Sequence, residues 1–164
     1  VYAAKKFQIE NIIELHGDNP FLDPYLIDDC IDIYEEKKCD YISNTIKNTF
    51  PAGLRVQIFP YKLLKDVYDN IDDPAVNEHV SLYFYENPHK YKIENFFAPK
   101  ILNRPDIRLT VDTTEDFKFI SSIFKIIIKK NLFPHFTTKD VLQIIDDYNI
   151  PLLNKSISSK PIRY

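Results

Sequence analysis

Apolar positions recur at two different spacings along this chain, and each change of spacing marks an element. In "NIIELHGD" (residues 11–18) they are compact and stop at Gly17, which predicts a strand ending there. In "DPYLIDDCIDIYEEKK" they fall at Leu26, Ile27, Cys30, Ile31 and Tyr34, a period near 3.6 that predicts a helix with Asp23 as N-cap and Pro24 at its first position. "DYISN" and "LRVQIF" read as strands, "PYKLLKDVYDNI" as a helix, and "PAVNEHVSLYFYENP" as one helix opened near Pro74. "YKIENFFA" and "IRLTV" are further strands, and "TEDFKFISSIFKIIIKK" is a long amphipathic helix. Thr113 with Asp116, and Thr137 with Asp140, have capping-box spacing; the second pair opens the helix "KDVLQIIDDY". A short helix end, "AAKKFQ", comes first, and an extended, proline-spaced tail comes last. Strands alternating with helices through residue 130 predict an α/β fold with a mainly parallel sheet, and residues 131–164 add a helix and tail packed on it.

With 164 residues, 45% of them apolar and 27% charged, the chain has a globular composition and length for one real core. A net charge of −3, sparse arginine and scattered lysines argue against nucleic acid or an anionic membrane as partner. The longest apolar run, "FISSIFKIII", is interrupted by serines and a lysine and is too short to span a bilayer. A cytoplasmic location is expected, with Cys30 and Cys39 as reduced thiols, since no histidine stands at metal spacing from them. His16, His89 and His135 have no nameable partners and read as incidental. Only two glycines occur, Gly17 and Gly53, which excludes a glycine-rich phosphate loop within these residues. No methionine occurs, even at position 1, so a fragment or a processed chain is expected.

Candidate chemistry lies at two acidic corners. "LHGDNP" and "TVDTTED" share a layout, a strand followed by an aspartate at its C-terminal end. Gly17 would let the backbone turn or a ligand approach closely, and Asn19-Pro20 ends the strand. In open α/β sheets ligands bind outside the carboxyl ends of the strands, where Asp18 and Asp112 would meet. Two carboxylates, with phosphates and water completing an octahedron, suit Mg²⁺. Each aspartate taken alone is more often a turn or cap residue than a metal ligand, and spacing does not choose between the readings.

The runs "HGDNPFLDPYLID", "DYISNT", "FPAGLRVQIF", "NEHVSLYFYENP" and "RPDIRLTVDTTEDF" resemble, in unbroken order, the cytidylyltransferase family. The branch is that of spore coat polysaccharide biosynthesis protein F, homologous to CMP-Kdo and acylneuraminate synthetases. The resemblance covers about residues 1–130. It implies a three-layer nucleotide-diphospho-sugar transferase (Rossmann-like) fold, with Mg²⁺ held by Asp18 and Asp112. It implies CMP transfer from CTP to a sugar with release of pyrophosphate, in surface polysaccharide synthesis, by a homodimer. The family's opening strand and its nucleotide-gripping loop are missing, so an N-terminal truncation is expected and this chain alone is expected to be inactive.

"GLRVQIF" departs from the branch, which commonly has acidic residues at the positions of Arg55 and Gln57, beside the sugar. A guanidinium there points to an anionic acceptor, with a solvent-facing Arg55 as the alternative. Glu14 likewise stands where an arginine is usual. Asn44 and Thr45, next to Ser43 at a strand end, are candidate pocket residues, with a plain turn as the alternative. Glu78 and His79 are candidate sugar contacts beside the aromatic cluster Tyr83, Phe84 and Tyr85, which reads as core or dimer interface. Two other functions stay open: metal-dependent glycosyl transfer from a nucleotide-sugar, and a non-catalytic sugar- or nucleotide-binding or assembly module.

Overall fold

A computed structural model describes residues 1–79 and 81–157. Its elements in chain order are α1 (Tyr2–Lys6), β1 (Asn11–Glu14), α2 (Pro24–Lys37), β2 (Tyr41–Ser43), β3 (Gln57–Pro60), α3 (Tyr61–Asn70), α4 (Pro74–Glu78), α5 (Leu82–Glu86), β4 (Ile93–Asn95), a 3₁₀ turn (Lys100–Leu102), α6 (Thr114–Lys129) and α7 (Thr138–Asp147).

Alternation along the strands divides the interior into two cores, one on each face of the sheet. Ile42, Val56 and Ile58 turn to the larger core, where they meet Cys30 of α2, Phe119, Ile123 and Ile127 of α6 and Val141 and Ile145 of α7. Tyr41 and Phe59 turn the other way, onto Leu64 and Val67 of α3, Val76 of α4 and Leu82 and Phe84 of α5. The result is helix, sheet and helix in three layers. Each fully buried side chain of this size contributes about 1.5–3 kcal/mol. Asp23 joins two helix starts: one carboxylate oxygen accepts from Tyr25 N at 3.0 Å as the cap of α2, the other from Thr138 N at 2.7 Å at the head of α7. Both predicted capping boxes are present. Cys30 and Cys39 are free and buried, and burial pushes the Cys30 thiol up to about 12.

Four features differ from the sequence-based expectations. The sheet, in the order β1-β3-β2-β4, is mixed rather than mainly parallel: β3 runs antiparallel to both neighbours, and only β2 and β4 are parallel. No helix lies between β2 and β3, so the chain returns without a crossover, and antiparallel pairing follows. "IRLTV" is not a sheet strand but makes a single parallel bridge, Arg108 to Ala52. The helix expected over residues 74–88 is two short helices. His79 leaves helical geometry (φ −111°, ψ 85°), which lets Ser81 reach Gln57 and Phe84 pack on Tyr41 and Phe59. The start of the expected extended tail turns at residues 153–156 to bury Asn154; residues 158–164 lie outside the described part. No described helix is long and apolar enough to cross a membrane.

Candidate active site

The two acidic corners converge because backbone hydrogen bonds draw three loops together. Val111 N donates to Asp18 O at 2.9 Å, Leu109 N to Ala52 O at 2.6 Å and Ala52 N to Ile107 O at 2.9 Å. Gly53 makes the last approach possible. Its φ is +96°, and a methyl group there would stand 2.5 Å from the Leu109 carbonyl carbon. Gly17, the residue whose sequence suggested a special turn, has open space around it and no positive φ.

Over this junction lies a cavity of about 270 Å³ whose wall includes His16, Asp18, Asn44, Thr45, Arg55, Arg108, Thr110 and Asp112. The Thr110 hydroxyl lies between the two aspartates, 3.1 Å from Asp18 Oδ2 and 3.4 Å from Asp112 Oδ2. The two carboxylates are therefore no farther apart than those distances laid end to end. Asp18 Oδ1 is buried with no hydrogen-bond partner, an acceptor-only atom that a cation would satisfy. No group of three or more His, Cys, Asp and Glu side chains that could hold a metal exists among the described residues. Two carboxylates fit Mg²⁺, which keeps water and phosphate ligands, and do not fit a structural zinc site.

Arg108 faces the same corner. It ion-pairs with Asp112 and also donates from Nε to Asp116 Oδ1 at 3.0 Å. Asp116 is fully buried and accepts further bonds from Asn154 Nδ2 at 2.7 Å, Thr113 N at 3.0 Å and Asp112 N at 3.1 Å. Burial pushes the Asp116 carboxyl up, but donors led by Asn154 and Arg108 outweigh it and hold the group below the usual carboxylate range.

Asn44 is buried with both ends of its amide engaged, Nδ2 donating to Leu54 O at 2.6 Å and Oδ1 accepting from Val56 N at 3.1 Å. It thereby clamps the backbone on both sides of Arg55 and keeps that residue in the cavity wall. Thr45 shares a 2.9 Å hydroxyl bond with Ser43. Gln57 lies elsewhere. It is 1% exposed, on the second-core face, where its Oε1 accepts from the Tyr41 hydroxyl and, at 2.9 Å, from Ser81 Oγ. The place beside the sugar expected for Gln57 together with Arg55 is not observed, because β3 is covered on both faces and Arg55 precedes it. Glu78 is exposed at the end of α4 and His79 half-buried just beyond it, and neither lines the cavity. His16 does line it, with Nε2 3.7 Å from Glu14 Oε1. Arg108, Thr110, His16 and Asn154 were not legible as site residues. The spacing of Arg108 to Asp112 and Asp116 offered a signal, whereas nothing near Asn154 hinted at partners about forty residues away.

Two aspartates held on either side of a threonine hydroxyl and flanked by Arg55 and Arg108 thus line one cavity beside an α/β sheet, the kind of place where ligands bind in this class of fold. The family model described as cytidylyltransferase matches residues 1–144, and the chain belongs to that family. It is 33% identical to the uncharacterized protein MJ1063 of Methanocaldococcus jannaschii, over 98% of this chain and 64% of that protein. It is 34% identical to the spore coat polysaccharide biosynthesis protein SpsF of Bacillus subtilis, over 70% of this chain and 47% of that protein. A solved cytidylyltransferase from Leptospira borgpetersenii superposes with a TM-score of 0.83 at 28% identity, covering 96% of this chain and 65% of the other. The chain thus spans less than two thirds of the length of the relatives it matches.

Proposed function

We propose that this chain supplies the metal- and acceptor-binding part of a nucleotidyltransferase that moves CMP from CTP to an acidic sugar, releasing pyrophosphate, in surface polysaccharide synthesis. Family membership supports the transfer from CTP, and similarity to SpsF supports the sugar and the polysaccharide role. The observation that carries the site reading is the Thr110 hydroxyl held between Asp18 and Asp112, with Asp18 Oδ1 unpartnered.

In this reading Asp18 and Asp112 would hold Mg²⁺, and the Thr110 hydroxyl, donating to Asp18 Oδ2, would help to orient that carboxylate. The ion, when bound, neutralises charge developing on the phosphates as pyrophosphate departs. Arg55, fixed by the Asn44 clamp, binds the carboxylate or phosphate of the acceptor in a bidentate fork. Positioning and electrostatics carry the rate, and no residue of the chain forms a covalent intermediate.

Incubation with CTP, Mg²⁺ and a panel of acidic and neutral sugars, followed by pyrophosphate detection, tests the reading at the length of the solved relative. Pyrophosphate release that depends on an acidic sugar and is lost in Asp112→Asn is expected. Transfer from a nucleotide-sugar without pyrophosphate would assign the fold to glycosyl transfer instead.

A further inference from the structure

We propose that Arg108 is a positioning residue that keeps Asp112 neutralised in the metal-free site and must release it when a divalent cation binds. The inference rests on the reading of Asp18 and Asp112 as cation ligands.

One half of the guanidinium is anchored. Its Nε donates to Asp116 Oδ1 at 3.0 Å, and its NH2 nitrogen lies 3.5 Å from Asp116 Oδ2. Asp116 cannot follow a moving arginine, because Thr113, the Asp112 backbone and Asn154 also hold it. Asn154 ties the assembly down a second time by donating to Arg108 O at 3.0 Å.

The contact to Asp112 is exchangeable. The same NH2 nitrogen donates to Asp112 Oδ2, the oxygen that also faces the Thr110 hydroxyl, and the Asp112 side chain is 52% exposed. A half-exposed carboxylate is solvated adequately by water and needs no protein cation. Arg108 itself is 12% exposed and already has a buried partner in Asp116. Its second contact is therefore unnecessary for burying either group, but it places a permanent positive charge on the oxygen a cation would use. Rotation of the NH2 end about the Asp116 anchor would free that oxygen without moving the backbone.

Calorimetric titration with Mn²⁺, which takes the same oxygen ligands, tests this with a readout independent of turnover. Arg108→Met should tighten Mn²⁺ binding by about tenfold, since the competing charge is gone and a tenfold change corresponds to about 1.4 kcal/mol. Asp116→Asn should weaken it, because the released guanidinium then pairs wholly with Asp112. Arg55→Met removes a charge from the same cavity wall but leaves the Arg108 pairs with Asp112 and Asp116 in place, and should shift the affinity far less. Arg108→Gln keeps an amide donor for Asp116 and replaces the methionine variant if that variant fails to fold. Unchanged or weaker Mn²⁺ binding in the folded Arg108 variants overturns this inference alone. Absence of Mn²⁺ binding in the parent overturns the cation site and this inference with it.

Discussion

Replacing Gly53 by alanine is the most local way to disturb the junction that brings the acidic corners together. The new methyl group would stand 2.5 Å from Leu109 C, 2.6 Å from Thr110 N and 2.8 Å from Leu109 O. All three atoms are backbone, so no side-chain rotation relieves the clash. Holding an L-residue at a positive φ costs about 1–2 kcal/mol, and overpacking adds about 1–3 kcal/mol. If the two segments instead move apart, the Ala52 hydrogen bonds to Ile107 and Leu109 are lost at about 1 kcal/mol each. With the positive-φ cost common to both, either route gives about 3 kcal/mol, or a melting temperature lower by roughly 6–12 °C for a chain of this size. Gly17→Ala is the matched control. With nothing within 4 Å and no positive φ, it should leave stability within about 1 kcal/mol of the parent. Urea unfolding of both variants decides the matter. A Gly53→Ala cost below about 1 kcal/mol, or a larger cost at Gly17, would refute the close-approach argument. If Gly17→Ala is stable yet impairs nucleotide or metal binding, the glycine serves ligand approach rather than the fold.

In an active enzyme, Arg55→Ala should raise the Michaelis constant for an acidic sugar by roughly ten- to a hundredfold, the loss of one charge-assisted pair, and spare that for CTP; equal kinetics across a panel of acidic sugars would assign Arg55 to solvent. Asn44→Ala leaves Leu54 O and Val56 N unpaired and should cost about 1–3 kcal/mol in chemical denaturation. The Asp116 carboxyl is held below its ordinary value, so it contributes stability that is present above the unfolded pKa of about 3.9 and lost as pH falls toward the folded one. Acid unfolding should accordingly be less steep in Asp116→Asn than in the parent. Ile123→Ala, at a fully buried position, should cost about 2–5 kcal/mol by thermal or chemical unfolding.

The local elements were legible in the sequence because their causes are local. The caps at Asp23, Thr113 and Thr137 act within three residues, and the periodic apolar faces of α2, α6 and α7 follow from the 3.6-residue turn. The two acidic corners were visible as aspartates after apolar runs, but the strand expected before Asp112 is only a single bridge and β1 ends at Glu14, short of Asp18. Tertiary structure alone decided the pairing directions of the sheet, since antiparallel return from β2 to β3 depends on a missing crossover rather than on any residue's preference. It alone placed Gln57 against Tyr41 and Ser81, because a short strand covered on both faces hides polar and apolar residues alike. It alone brought Asn154 and Asp116 together across 38 residues, completing the chain of bonds that ends at Asp112. Such contacts depend on where distant backbones meet, and no periodicity or spacing within a single segment encodes that.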